Sequence, residues 1–303
     1  MRKVDCIVIG GGPAGTFCAS ALADRGVECA LLEKRAVMRG KVCGDGISRY
    51  GVRVLERVAF PLEPLLHYGV KVECSITIRE QERTHEENWL PEPYQAAFAI
   101  GISRDALDEL FLQSAVSHGV DVRLGTRVSK VGKRGALYTA GGYAAKKVVL
   151  ACGAGSGLLA GRMDMLPAGI SAIFQSDAAR QGVFLFDKSL VYADGYAWIF
   201  SIGKNLWNVG VWSRRPQPNM KKLYQQFVRT QVLQFLGERA ECVRPPKGAL
   251  IGAGTKIQQW DKNIHLAGDA ANGARLASGE GIPQAILSGV QTAETILREW
   301  RRP

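Results

Sequence analysis

The chain has no run approaching the roughly 20 apolar residues that a membrane-crossing helix requires, and no Cys-x-x-C pair anywhere in its 303 residues. Its seven cysteines, at positions 6, 18, 29, 43, 74, 152 and 242, are scattered, and several fall inside apolar runs as reduced core thiols do. Neither a disulfide scaffold nor a cysteine zinc site is expected. The four histidines, His67, His85, His118 and His265, show no metal-ligand spacing, and no metal is assigned. Repeats and low-complexity segments are also missing. The formal charge is +11, yet the basic residues are dispersed, so a solvated surface accounts for them and no nucleic-acid partner is inferred. Lys221 and Lys222, on a helical stretch from Met220 to Leu236, leave peripheral membrane contact open. The short apolar start runs into a glycine turn without a cleavage-site pattern, and a cytoplasmic protein is expected.

What is present begins at Val4. Val4 to Ile9 is a β-branched run of buried-strand type that stops at Gly10, Gly12 and Gly15, in the spacing G-x-G-x-x-G. Gly10 permits the tight turn, Gly12 lets backbone N–H groups approach a diphosphate, and Gly15 lets the following helix lie on the strand. From Pro13 and Ala14 the spacing turns helical, through Phe17, Cys18, Ala21 and Leu22, until Arg25 and Gly26 stop it. The helix N-terminus offers N–H donors and partial positive charge to an anion. A second strand, Val27 to Leu32, leads to Glu33 and Lys34, where an acid accepts hydrogen bonds from a ribose 2'-hydroxyl and repels a 2'-phosphate. The reading is a dinucleotide site that disfavours NADP.

A second glycine and acid signature lies near the far end, NIHLAGDAAN at Asn263 to Asn272, followed by GEGI at Gly279 to Ile282 and by Ala285 and Gly289. Ile264 to Ala267 reads as a strand, and Gly268-Asp269 as a point where a helix could begin. These motifs resemble the second FAD motif of the flavoproteins built on the para-hydroxybenzoate hydroxylase fold. The resemblance implies FAD as cofactor, with Gly268 and Asp269 at its ribityl and diphosphate region and Gly279, Gly281 and Ile282 at the flavin pyrimidine ring. It also gives a cofactor role to Arg104, which follows Ser103, a plausible N-cap for the helical pattern Leu107, Leu110, Phe111 and Ala115. Lys147 to Ala154 is similar to the strand by which such chains return to the FAD domain. No second complete G-x-G-x-x-G follows it, so a separate NAD(P)H domain is not expected.

The fold class expected is α/β: a Rossmann-type FAD-binding domain carrying an inserted antiparallel-sheet substrate domain. The FAD domain is discontinuous, at 1–70, 99–165 and 248–303, and residues 71–98 and 166–247 form the second layer with one helix. Its strands are read from Ser171–Gln175, Val183–Phe186, Tyr196–Ile202 and Leu206–Trp212, short β-branched or aromatic runs between turn residues.

Two further segments, Lys41-Val42-Cys43-Gly44-Asp45-Gly46 and Asp194-Gly195-Tyr196-Ala197-Trp198-Ile199-Phe200, resemble the geranylgeranyl reductase family, although Ser201 stands where that family usually has a proline. The resemblance implies reduction of carbon–carbon double bonds in an apolar, isoprenoid-like substrate by hydride from reduced flavin, with NAD(P)H or reduced ferredoxin as electron donor. Cys43, Tyr196 and Trp198 become the catalytic candidates: the thiol as proton donor, the two aromatics as a wall on one face of a strand. The alternative is an FAD-dependent monooxygenase or halogenase acting on an aromatic or apolar molecule. The Asp-Gly of monooxygenases is replaced by Ala154-Gly155-Ser156, and of the halogenase tryptophan motif only Trp198-Ile199 remains.

Overall fold

A computed structural model describes residues 1–38, 40–72, 75–80, 83–87, 99–159, 163–178, 182–187, 195–213, 219–255, 261–271 and 280–300. Cys74, Asp194, Asn272 and Gly279 lie outside these residues.

The centre is a five-stranded parallel sheet in the order Ile264–Leu266, Lys147–Leu150, Cys6–Ile9, Cys29–Leu32, Asp121–Arg123. The opening strand is its middle strand, with Val8 opposite Val149 on one side and Leu31 on the other. Both faces are covered, which is why these strands are continuously apolar rather than alternating. Cys6, Val8, Cys29, Leu31 and Val149 pack against Ala14, Cys18, Leu22, Leu112, Ala115, Ala293 and Ile296 of the helices Pro13–Ala23, Arg104–Ser117 and Ile282–Trp300. Ile7, Ile9, Ala30, Leu32, Val148 and Leu150 face the other way, onto Tyr138, Ala140 and Tyr143 of an antiparallel meander spanning Gly132–Ala145. Sequence reading had no signal for that meander, whose outer strand Gly132–Arg134 is exposed.

The second large sheet has seven strands, in the order Glu241–Thr255, Met163–Gln175, Leu206–Ser213, Gly195–Gly203, Gly182–Asp187, Ser75–Glu80, Arg83–Glu87. Its pairs are antiparallel except that Gly182–Asp187 runs parallel to Ser75–Glu80. The Glu241–Thr255 strand is the element the sequence hid. It is an edge strand whose residues 241–248 are exposed or nearly so, and its pairing shifts register several times, so it has no period-2 pattern and tolerates Pro245 and Pro246. One sheet face, with Ala197, Ile199, Val209 and Val211, is capped by Tyr224, Phe227, Val232 and Leu236 of the helical stretch Met220–Leu236. The other face carries Trp198, Phe200 and Trp212 with Tyr196 beside them.

The helices Pro13–Ala23 and Ile282–Trp300 lie against each other on one face of the parallel sheet. A Cβ added to Gly289 would stand 2.2 Å from the Ala14 carbonyl oxygen, so the two backbones touch with no side chain between them. Gly289→Val must therefore push the helices apart. It is expected to cost about 2 kcal/mol or more, as overpacked cores do, read as a lower urea midpoint; an unchanged midpoint would show that the contact tolerates a branched side chain.

Candidate functional site

The opening strand ends at Gly10, with φ at +116° and the place of a Cβ only 2.3 Å from the Ala151 carbonyl oxygen. No residue with a side chain fits that turn. A Cβ on Gly15 would lie 1.9 Å from the Gly10 carbonyl oxygen, so the helix Pro13–Ala23 begins directly on the strand end. Gly12 is the opposite case: nothing stands within 4 Å of its absent Cβ. The helix has no side-chain cap and starts with Pro13. Open space thus meets a helix N-terminus, the surroundings a diphosphate needs.

Glu33 is buried, 4 % exposed, and its carboxylate is held from two sides. Oε2 accepts the Gly11 N–H at 2.8 Å and Oε1 accepts the Arg35 N–H at 2.9 Å. The acid is thereby fixed against the glycine turn, 22 residues along the chain from Gly11. Lys34 beside it is exposed.

The far end of the chain closes on the same turn. Gly268 has φ +64°, its N–H donates to Ser288 Oγ at 2.9 Å, and a Cβ there would be 2.6 Å from that of Ala14. Asp269 follows in a short 3₁₀ turn, Gly268–Ala270; the long helix does not begin there but at Ile282, whose preceding Gly281 carbonyl accepts the Ala285 N–H at 2.9 Å.

Arg104 opens the helix Arg104–Ser117, behind Ser103, whose Oγ accepts the Ala106 N–H at 3.2 Å. Burial of the guanidinium works against its charge, but Asp108 Oδ1, at 2.6 Å from Nη2, and the neighbouring Cys43 side chain hold it protonated and above the ordinary arginine value. Lys41 is exposed. The Arg104 charge, then burial, depress its pKa, while Asp269, Asp108 and Cys43 oppose that shift. Lys41, Cys43, Arg104, Asp108 and Asp269 therefore form one electrostatic cluster, which joins the loop after the second strand to the helix Arg104–Ser117 and to the Gly268–Ala270 turn.

Cys43 is half-buried. Its carbonyl accepts the Asn208 amide N–H at 2.8 Å and Ser171 Oγ at 3.3 Å, both from the seven-stranded sheet. Tyr196 and Trp198 share a face as expected, ring centroids 5.9 Å apart, with Phe200 and Trp212 extending the array. Their exposures differ. Trp198 is only 6 % exposed, covered by Gly44 and lying over Gly210, and its indole N–H is bound to Asn208 Oδ1 at 2.8 Å; Tyr196 is half-buried.

Four contributors escaped the sequence reading. Lys41 and Asp45 lay inside the Lys41–Gly46 motif without a role, and Asp108 stands at i+4 from Arg104, the spacing of a helix ion pair. Asn208 had its own signal, a lone amide inside the apolar run Leu206–Trp212.

Residues 3–141 match the family model of the FAD binding domain. A geranylgeranyl diphosphate reductase from Rhodobacter capsulatus is 27% identical, covering 97% of this chain and 75% of that protein. A digeranylgeranylglycerophospholipid reductase from Thermoplasma acidophilum is 23% identical, covering 97% of this chain and 78% of its own length. Among solved structures, a flavin-dependent brominase superposes with a TM-score of 0.77 at 17% identity, over 100% of this chain and 80% of that one. Fold and site define an FAD-dependent oxidoreductase on the para-hydroxybenzoate hydroxylase-like scaffold. Within that class the chain is similar along nearly all of its length to these two reductases, at 27% and 23% identity. The residues suit FAD: the open cradle at Gly12 and the buried Glu33 acid match its adenosine-diphosphate end, and the mixed-charge cluster of Lys41, Arg104, Asp108 and Asp269 offers donors and acceptors to its remaining polar groups.

Two outcomes follow. Glu33→Ala leaves the Gly11 and Arg35 N–H groups without their acceptor and should weaken FAD binding about tenfold or more, measured by quenching of FAD fluorescence; unchanged affinity would remove Glu33 from the site. Asp45 is held by burial at a pKa of about 6, raised from 3.8. Its ionised form is thus less favourable in the fold than in the unfolded chain, and its contribution to stability falls as pH rises from about 4 to about 6. Over that window Asp45→Asn should gain on the native protein by on the order of 2 to 3 kcal/mol, seen in paired urea midpoints; a constant difference would contradict it.

Proposed function

We propose that the protein reduces carbon–carbon double bonds of an apolar, isoprenoid-like substrate. The observation that carries this reading is the juxtaposition of an aromatic sheet face, Tyr196, Trp198, Phe200 and Trp212, with a loop whose Cys43 meets Arg104. Bound FAD, once reduced, supplies a hydride. The chain's own work is to bind, orient and protonate. Gly10, Gly12, Pro13, Ala14, Gly15 and Glu33 hold the adenosine-diphosphate end, Arg104, Gly268 and Asp269 the middle, and Gly279, Gly281 and Ile282 the ring end. Trp198 is almost wholly buried with its N–H satisfied by Asn208, so it backs the aromatic wall without presenting a donor, which favours an apolar chain on the half-buried Tyr196. Tyr196 extends that surface. Cys43 gives a proton to the carbon that does not receive hydride and regains one from solvent. Residues 71–98 and 166–247 act as the substrate layer on an FAD domain of 1–70, 99–165 and 248–303, with the paired strands Met163–Gln175 and Glu241–Thr255 running across the two boundaries. The enzyme works in the cytoplasm and draws electrons from NAD(P)H or reduced ferredoxin. The names of its relatives, geranylgeranyl diphosphate and digeranylgeranylglycerophospholipid reductases, support the substrate class.

An FAD-dependent monooxygenase or halogenase is the second reading, favoured by the TM-score of 0.77 to the brominase. Ala154-Gly155-Ser156, in place of Asp-Gly, speaks against the hydroxylase.

Protein loaded with FAD, reduced under argon and mixed with geranylgeranyl diphosphate should be reoxidised without O2, yielding product two hydrogens heavier for each bond reduced. Cys43→Ala should slow this by about a hundredfold. Reoxidation that requires O2 and inserts oxygen, or that requires O2 and halide, would contradict the proposal.

A further inference from the structure

Asn208 lies within a strand that otherwise reads as sheet core, at 1 % exposure, where valine would cost nothing in packing pattern. Its amide instead makes three hydrogen bonds to two different parts of the molecule. Oδ1 accepts the Trp198 indole N–H at 2.8 Å, while Nδ2 donates to the Cys43 carbonyl and to Asp45 Oδ2, each at 2.8 Å. Both amide hydrogens are used and the acceptor is taken, so only one orientation satisfies the site. Turning the amide over would oppose N–H to N–H and oxygen to two oxygens.

Each partner is itself constrained. The Trp198 ring lies on Gly210, where a Cβ would come within 2.2 Å of it, and a Cβ added to Gly44 would stand 3.4 Å from the same ring. Asp45 sits between two glycines at φ +56°, a backbone conformation that L side chains seldom adopt. It is held there by its carbonyl, which accepts the Ile102 N–H at 2.8 Å, and by Oδ1, which accepts the Arg104 N–H at 3.0 Å. A continuous chain of hydrogen bonds therefore runs from the aromatic sheet face, through Asn208 and Asp45, to the start of the helix that carries Arg104. Buried polar links of this kind fix geometry because every member must be satisfied at once.

We propose that Asn208 is a positioning residue: it clamps the Cys43 loop and the Trp198 ring into one unit, setting where the thiol stands relative to the substrate wall and to Arg104. The placement of Cys43 and Trp198 in the active site rests on the reductase reading, but the clamp itself can be tested without turnover.

Asn208→Asp keeps size and shape but sets a carboxylate against Asp45 Oδ2 and the Cys43 carbonyl. The charges facing that pair are Arg104 on its helix, Lys41 and Asp108 beside it, and Arg244 from the edge strand, itself paired to Asp105 at 3.6 Å. None of these three cations replaces the lost N–H donors. In FAD-loaded protein, alkylation of Cys43 by iodoacetamide, quantified on its own peptide and expressed as variant over native at each pH, is the readout. The ratio should be about tenfold or more near pH 8, the equivalent of one lost hydrogen bond, and should fall toward 1 near pH 5, where a shared proton restores the contact. The swap Asp45→Asn with Asn208→Asp puts an amide back across the 45–208 gap while the Cys43 carbonyl stays opposed, and should recover part of the native protection at pH 8, which keeps the test valid if the single variant folds poorly. A ratio independent of pH, or a swap that protects no better than the single variant, would overturn the proposal. Failure of alkene reduction with the alkylation pattern intact would reject the reductase reading and leave the clamp standing.

Discussion

Everything in the molecule depends on one close approach: the first turn of the helix Pro13–Ala23 lying directly on the end of the central strand. Gly10 and Gly15 make that contact possible because neither has a Cβ where the backbones meet, and Gly268 and Gly289 extend it by letting the far end of the chain close on Ala14. The result is a helix N-terminus without a side-chain cap, beside the empty space at Gly12. Uncapped N–H groups are costly to bury and useful to an anion. The parallel sheet, the Glu33 carboxylate and the last helix all serve to hold that terminus where a diphosphate can reach it.

The parts of this arrangement that were legible in the sequence are those in which local chemistry and global role coincide. The glycine triad, Glu33 and the helix capped by Ser103 announce themselves because each is a short-range rule of turns, caps or strands. The helical stretch Met220–Leu236 was legible for the same reason, since its apolar face is periodic and packs on the sheet through Tyr224, Phe227, Val232 and Leu236. The Gly132–Ala145 meander and the Glu241–Thr255 edge strand were not, because the meander's strands are only three or four residues long and its outer one is exposed, while the edge strand is exposed and bulged. The site divides along the same line. Arg104 could be assigned a place by resemblance, but its partner Cys43 stands 61 positions earlier in the chain, and Asn208 meets Cys43 across 165, so only the fold brings them together.

The seven-stranded sheet uses its two faces differently. Ala197 and Ile199 alternate with Trp198 and Phe200 along one strand; the first pair seals against a helix and the second meets the Cys43–Gly46 loop. A period of two thus converts one strand into a structural face and a functional one. The loop would have little reason to stay on that functional face if only van der Waals contacts held it. Asn208, Ser171 and Asp45 supply directional bonds, and Asp45 accepts both a left-handed backbone and a carboxylate pKa of about 6 to do so.

The central claim is that the opening turn, Glu33 and the Asp269 turn make a single FAD site from two ends of one chain. Calorimetric titration of flavin-free protein with FAD, repeated in excess ADP and in excess adenosine 2',5'-bisphosphate, tests it most directly. The account predicts one FAD per chain, competed by ADP and not by the 2'-phosphorylated nucleotide. No saturable uptake, or uptake indifferent to ADP, would contradict it.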